Sequence, residues 1–126
     1  MIVRTLSDLK GTKGDVRTPS WSSQRFLHHE DGMGFTMTDT TVEAGMDQVI
    51  WYKHHLEACY VIEGEGTIED LATGTVHALA PGTLYALNDH DRHRLRARTR
   101  MRLVCAFNPA LTGGEVHDAD GAYRAR

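Results

Sequence analysis

Two cysteines, three prolines and no long apolar run mark what this 126-residue sequence does without. Cys59 and Cys105 stand far apart and form no C-x-x-C pair, so no zinc ribbon or redox motif is built on them. No apolar stretch approaches the roughly 20 residues that span a bilayer. The opening MIVRTLSDLKGTKGD has no signal-peptide h-region. The expected setting is therefore the reducing cytoplasm, with both thiols free. Charge of one sign is also missing. A net charge of −3 offers no global attraction to nucleic acid or to an anionic membrane. Nor does any 3.6-residue apolar stripe run through the chain, which excludes a helix bundle.

What is there is enough for one core. A chain of this length buries roughly two-thirds of its unfolded surface, so a single domain over residues 1–126 is expected. Its apolar residues fall in short runs. IVRTL (2–6) reads as an N-terminal edge strand and Lys10–Pro19 as a loop. Further strands are expected at Trp21–Leu27, Phe35–Thr40, Val49–Lys53, Glu57–Ile62, Thr67–Asp70, Val76–Leu79, Thr83–Leu87, His93–Arg98 and Met101–Phe107. Asp31-Gly32, Gly45, Gly74 and Pro81-Gly82 supply turns between them. Many short strands at turn spacings of about 8–12 residues predict an all-β, double-sheet jelly-roll barrel. Residues 109–126 are polar and glycine-rich, and read as a C-terminal tail.

Two stretches carry the chemistry. The first, WYKHHLEACYVIEGEG, holds Glu57 followed after six residues by Gly64. The second, PGTLYALNDHDRH, holds Pro81-Gly82 followed after ten residues by His93. These spacings resemble the two half-motifs of a cupin barrel, H-x-H-(three or four residues)-E-(six residues)-G and P-G-(ten residues)-H. The histidine pair of the first half-motif is absent. Its positions fall on Ile50 and Tyr52 or on Trp51 and Lys53, while His54 and His55 lie too close to Glu57.

That departure, with the wording of both stretches, the block CAFNPALTGGEVHDADG and the opening MIVR…LKGT, resembles the ectoine synthase family over essentially the whole chain. The resemblance implies iron held by Glu57, Tyr85 and His93, with other divalent first-row metals able to replace it. It implies a hydro-lyase that closes N4-acetyl-L-2,4-diaminobutyrate to the cyclic amidine ectoine, a compatible solute made under osmotic stress. It also implies that Trp21, Arg25, Thr40, Tyr52, Cys105 and Phe107 surround the small molecule, and it places His55 there too. The chemistry agrees with the metal set. Carboxylate, phenol and imidazole are hard to borderline donors suited to Fe(II), Mn(II) or Zn(II). Three protein ligands leave positions open for a substrate.

Several side chains are candidates for the remaining work. Arg25 is the natural partner of a substrate carboxylate. His55 and His117 titrate in the range useful for acid–base catalysis, and Glu115 sits beside His117 after the Gly113-Gly114 pair. The glycines allow the tail to act as a lid that excludes water from a dehydration. A decoy lies in DRHRLRARTRMR, where arginines occupy every even position from 92 to 102. On a strand they form one outward ladder, read as a solvated face or as ion pairs across a dimer contact. A homodimer is expected, because a lone barrel has edge strands to cover. Two rival readings use the same residues: a cupin that only binds a ligand, and an iron-dependent oxygenase.

Overall fold

The computed structural model describes residues 1–125. Ten strands form two antiparallel sheets. They are β1 (Asp15–Arg17), β2 (Trp21–Arg25), β3 (Thr36–Val42), β4 (Asp47–Ile50), β5 (Leu56–Glu63), β6 (Gly66–Asp70), β7 (Thr75–Leu79), β8 (Leu84–Leu87), β9 (His93–Ala97) and β10 (Met101–Asn108). The larger sheet runs β1-β2-β3-β10-β5-β8 and the smaller β4-β9-β6-β7. The core lies between them. Trp21, Val42, Cys59, Val61 and Leu103 from the first sheet meet Ile50, Ile68, Leu79 and Leu95 from the second.

Strand period decides which residues enter that core. Thr36 and Thr38 on β3 are buried while Met37 between them is exposed, and Thr38 and Thr40 share a hydroxyl–hydroxyl hydrogen bond of 2.8 Å along one face. On β10 every odd residue from Met101 to Phe107 is buried. The arginine ladder obeys the same rule, with His93, Leu95 and Ala97 inward. Its cations pair within the chain. Arg94 grips Asp47 through two bonds of 2.7 and 2.8 Å, Arg102 grips Asp39 in the same way, and Arg98 pairs with Glu65.

The glycine of the first half-motif has a steric cause. Gly64 turns the chain from β5 into β6 at a φ of 85°, and a Cβ there would run into the carbonyl oxygen of Arg100. Only a residue without a side chain lets this turn slide under the β9–β10 connection.

Two expectations at the N-terminus are corrected. Residues 2–6 form no strand: the chain runs extended into a one-turn helix, α1 (Leu6–Leu9). Thr5 caps it, its hydroxyl accepting from the Asp8 N–H while the Asp8 carboxylate accepts from the Thr5 N–H. The edge strand is instead β1, inside the stretch read as a loop, and it forms because β2 supplies a partner ladder. No helix among the described residues is long and apolar enough to cross a membrane.

Candidate metal centre

Alternation along β5 turns Glu57, Cys59 and Val61 into the barrel. The ladders on either side complete this wall. Cys59 lies opposite Tyr85 on β8 and opposite Cys105 on β10, and Glu57 lies opposite Phe107. From the smaller sheet, His93 opens β9 facing inward. These residues line one small cavity, together with Trp21, Thr40, Tyr52, His117 and Tyr123. Glu57, Tyr85 and His93 thus reach a common space from both sheets. The ligand atoms of Glu57, Cys59 and Cys105 lie within 4.8 Å of one another, a grouping able to hold a metal ion.

Electrostatically this wall lacks a cation. None of the residues lining the cavity is lysine or arginine. Burial therefore pushes the Glu57 carboxyl up to about 7, and hydrogen bonds from the Cys59 and Cys105 thiols offset only part of that rise. His93 is prepared in the opposite sense. Burial lowers its pKa, and its Nδ1 lies 3.0 Å from the carbonyl oxygen of Asp91. A carbonyl can only accept, so Nδ1 carries the proton and Nε2 keeps its lone pair. A neutral imidazole with one nitrogen held and the other free is the form that ligates a metal. The donor set fits a divalent ion.

Across the cavity, Tyr52 and His117 form a second polar unit. The Tyr52 hydroxyl and His117 Nε2 are 2.8 Å apart. Burial, then the charges of Arg25 and His93, drop His117 to about 4. Burial raises the Tyr52 phenol well above its ordinary value. Both partners are therefore neutral near pH 7. Phe107 meets Tyr52 edge-on at 5.3 Å, and Trp21 tilts against His117 at 5.1 Å.

Three of the residues singled out from sequence do not reach the cavity wall: Arg25, His55 and Glu115. Arg25 is fully buried on β2 and faces the tail. Its guanidinium donates to the carbonyl of Gly113 at 2.7 Å, to the Tyr123 hydroxyl at 3.2 Å and to Ser23 Oγ at 3.2 Å. Glu115 lies 3.9 Å from it. Burial works against the Glu115 charge, but the N–H groups of Thr112 and Gly113 outweigh it and hold the carboxyl below its usual range. His55 is buried, edge-on to both Phe107 and Tyr123 at 6.3 and 6.1 Å.

Tyr123 is the residue that sequence reasoning missed. It closes the cavity from the tail, with its ring 5.0 Å from Tyr52, 5.4 Å from Phe107 and 4.9 Å from His117. Its signal was small: Ala122-Tyr123 is a short apolar pair in a mostly polar tail. Cys59 shares the face of Glu57 two residues before it on β5, and its pairing with Cys105 comes from the sheet order.

Two stacked antiparallel sheets with clustered inward ligands define a cupin-type barrel. An RmlC-like cupin from Shewanella frigidimarina shares this fold, with a TM-score of 0.61 and 22% identity over 74% of this chain and 79% of that one. The family model for ectoine synthase matches residues 1–126, and the chain belongs to the ectoine synthase family. It is 56% identical over 124 residues to the L-ectoine synthase of Desulfosudis oleivorans, covering 98% of this chain and 96% of that one. The crystal structure of ectoine synthase from P. lautus superposes with a TM-score of 0.88 at 52% identity, covering 96% of this chain and 87% of that one.

Proposed function

We propose that this chain is a hydro-lyase that condenses N4-acetyl-L-2,4-diaminobutyrate within itself to L-ectoine. In that reaction the α-amine nitrogen bonds to the acetamide carbon. The carbon–oxygen bond breaks, and the oxygen leaves as water with two protons from the amine. The observation that carries the reading is the convergence of Glu57, Tyr85 and His93 on one small cavity with no cation in its wall.

Glu57, Tyr85 and His93 would hold the ion, with Fe²⁺ as the metal and other divalent first-row ions able to replace it. When bound, such an ion supplies a Lewis acid for a poorly electrophilic amide carbonyl. The remaining work belongs to the chain. Trp21, Tyr52, Phe107 and Tyr123 give apolar walls that hold a folded conformer of an otherwise floppy substrate, bringing amine and carbonyl toward the about 3–3.5 Å of a near-attack geometry. Thr40 and Cys105 add polar edges to the same cavity. The neutral Tyr52–His117 pair can pass a proton along its 2.8 Å bond, taking one from the amine side and returning one to the departing oxygen. Arg25 supplies positive potential from behind Tyr123 for the substrate carboxylate. His55 supports the Phe107 and Tyr123 rings. Glu115 keeps the tail across the cavity as its lid, by capping Thr112 and Gly113 beside Arg25.

The chain is read as one cytoplasmic domain over residues 1–126 that works as a homodimer on a small-molecule substrate. The test is anaerobic incubation of the purified protein with Fe²⁺ and the acetylated diamino acid, followed by NMR of the products. The expected result is stoichiometric ectoine without oxygen. Binding without turnover would instead favour a sensor, and an oxygen requirement would favour an oxygenase.

A further inference from the structure

We propose that Cys59 and Cys105, with Glu57, form a site for a soft divalent ion such as Zn²⁺ or Cd²⁺. It occupies the thiol side of the cavity and competes with the harder ion for Glu57. Only the competition rests on the metal assignment given above; binding of the soft ion to the thiols does not.

The placement follows from sheet register. Cys105, Cys59 and Tyr85 are neighbours in one row across β10, β5 and β8, and Glu57 follows two residues before Cys59 on the same face. The ligand atoms of Glu57, Cys59 and Cys105 lie within 4.8 Å of one another. Even a triangle with edges that long has its centre only about 2.8 Å from each corner, against contacts of about 2.3 Å to sulfur and 2.0–2.2 Å to oxygen. Small side-chain rotations close that gap. Tyr85, the cross-strand partner of Cys59, offers a fourth donor, and two sulfurs with two oxygens make a tetrahedral set.

Chemistry then selects the ion. Thiolates favour zinc-like metals over magnesium, calcium or manganese, whereas carboxylate, phenol and imidazole serve Fe²⁺. Binding trades the two S–H protons for one divalent ion, so the net charge of the two thiols plus their occupant stays the same. The buried wall therefore pays little electrostatic penalty for the exchange.

The experiment titrates metal-free protein with CdCl₂ and records the ultraviolet thiolate-to-cadmium charge-transfer band with proton release. The expected result is a band that saturates at one equivalent. Cys59→Val should lose about half of it, because one of two thiolates is gone, and Cys59→Ser guards against misfolding of the valine variant, each checked by circular dichroism. His93→Ala should keep the band. In Fe²⁺-loaded protein the band should grow only as iron is released. Cadmium binding with no thiolate band, or a full band in both Cys59 variants, would overturn the proposal. A full band with iron retained would overturn the sharing of Glu57. A protein that shows the band but does not cyclise the acetylated diamino acid would count against the proposed function alone.

Discussion

Glu57 gathers the conflict between stability and function into one carboxyl group. Unfolded, it ionises near 4.5; folded and without metal, near 7. Between those values the folded state holds a proton that the unfolded state has released. Stability of the metal-free protein therefore falls as pH rises through this window, by about 3 kcal/mol in all. Glu57→Gln removes the penalty. Metal-free Glu57→Gln is expected to be more stable than metal-free wild type by up to about 3 kcal/mol at pH 8 and no more stable at pH 4, as read by urea denaturation. The same variant should lose divalent-ion binding. In the wild type a proton competes with the ion for this carboxylate, so affinity should fall about tenfold per pH unit below 7 by calorimetric titration. Much of this site was legible residue by residue. Glu57 and His93 stood at half-motif spacings, and period-two alternation along a strand puts Cys59 on the face of Glu57 and Cys105 on that of Phe107. Arg25 was not legible in the same way: the resemblance put it beside the small molecule, but nothing local says that its guanidinium meets Gly113 and Tyr123 rather than the cavity.

Among the elements, the tail matters most to the cavity. It has no strand, yet Ala110, Leu111, Ala122 and Tyr123 are buried. Gly121, at a φ of 73°, packs so close to β4 that a Cβ there would come within 2.6 Å of the Val49 carbonyl oxygen. The Trp51 N–H donates to the Gly121 carbonyl. The tail is thus a docked strap rather than a frayed end. Tyr123→Ala is expected to cost about 3–5 kcal/mol, the range for emptying a buried aromatic site, with a matching shift of the denaturant midpoint. Deleting residues 113–126 should abolish turnover while leaving an unfolding transition, since the ten strands end at Asn108. Strand positions were readable from alternation and turn residues. The helix α1 was not, because one turn leaves no period to detect and rests on the Thr5–Asp8 capping pair. β1 was hidden by the glycines around it and exists only through its pairing with β2.

For the molecule as a whole, one core is shared by both sheets, which suits the single domain proposed above. Calorimetry is expected to show one cooperative transition, and two separate transitions would contradict it. The outer face of the larger sheet leaves Met37, Tyr60 and Leu84 41%, 45% and 60% exposed. Tyr60 and Leu84 are direct cross-strand partners. Such an apolar stretch suits the homodimer proposed above. Leu84→Glu is expected to shift the protein to monomer in light scattering while its circular dichroism stays unchanged. The arginine ladder gives no such contact surface, because Asp47 and Asp39 on neighbouring strands and Glu65 in the β5–β6 turn already pair with it.

The sequence by itself determined which side of most strands is wet, where most turns fall and which side chains are chemically able to hold an ion. Those properties depend on period-two geometry and on glycine sterics, both of which act within a few residues. Tertiary structure alone decided that Cys59 sits between Cys105 and Tyr85, that His93 faces them from the other sheet, and that Tyr123 closes the cavity. Such neighbours are set by strand order and by long connections, and a strand's own alternation is the same whichever partner it takes.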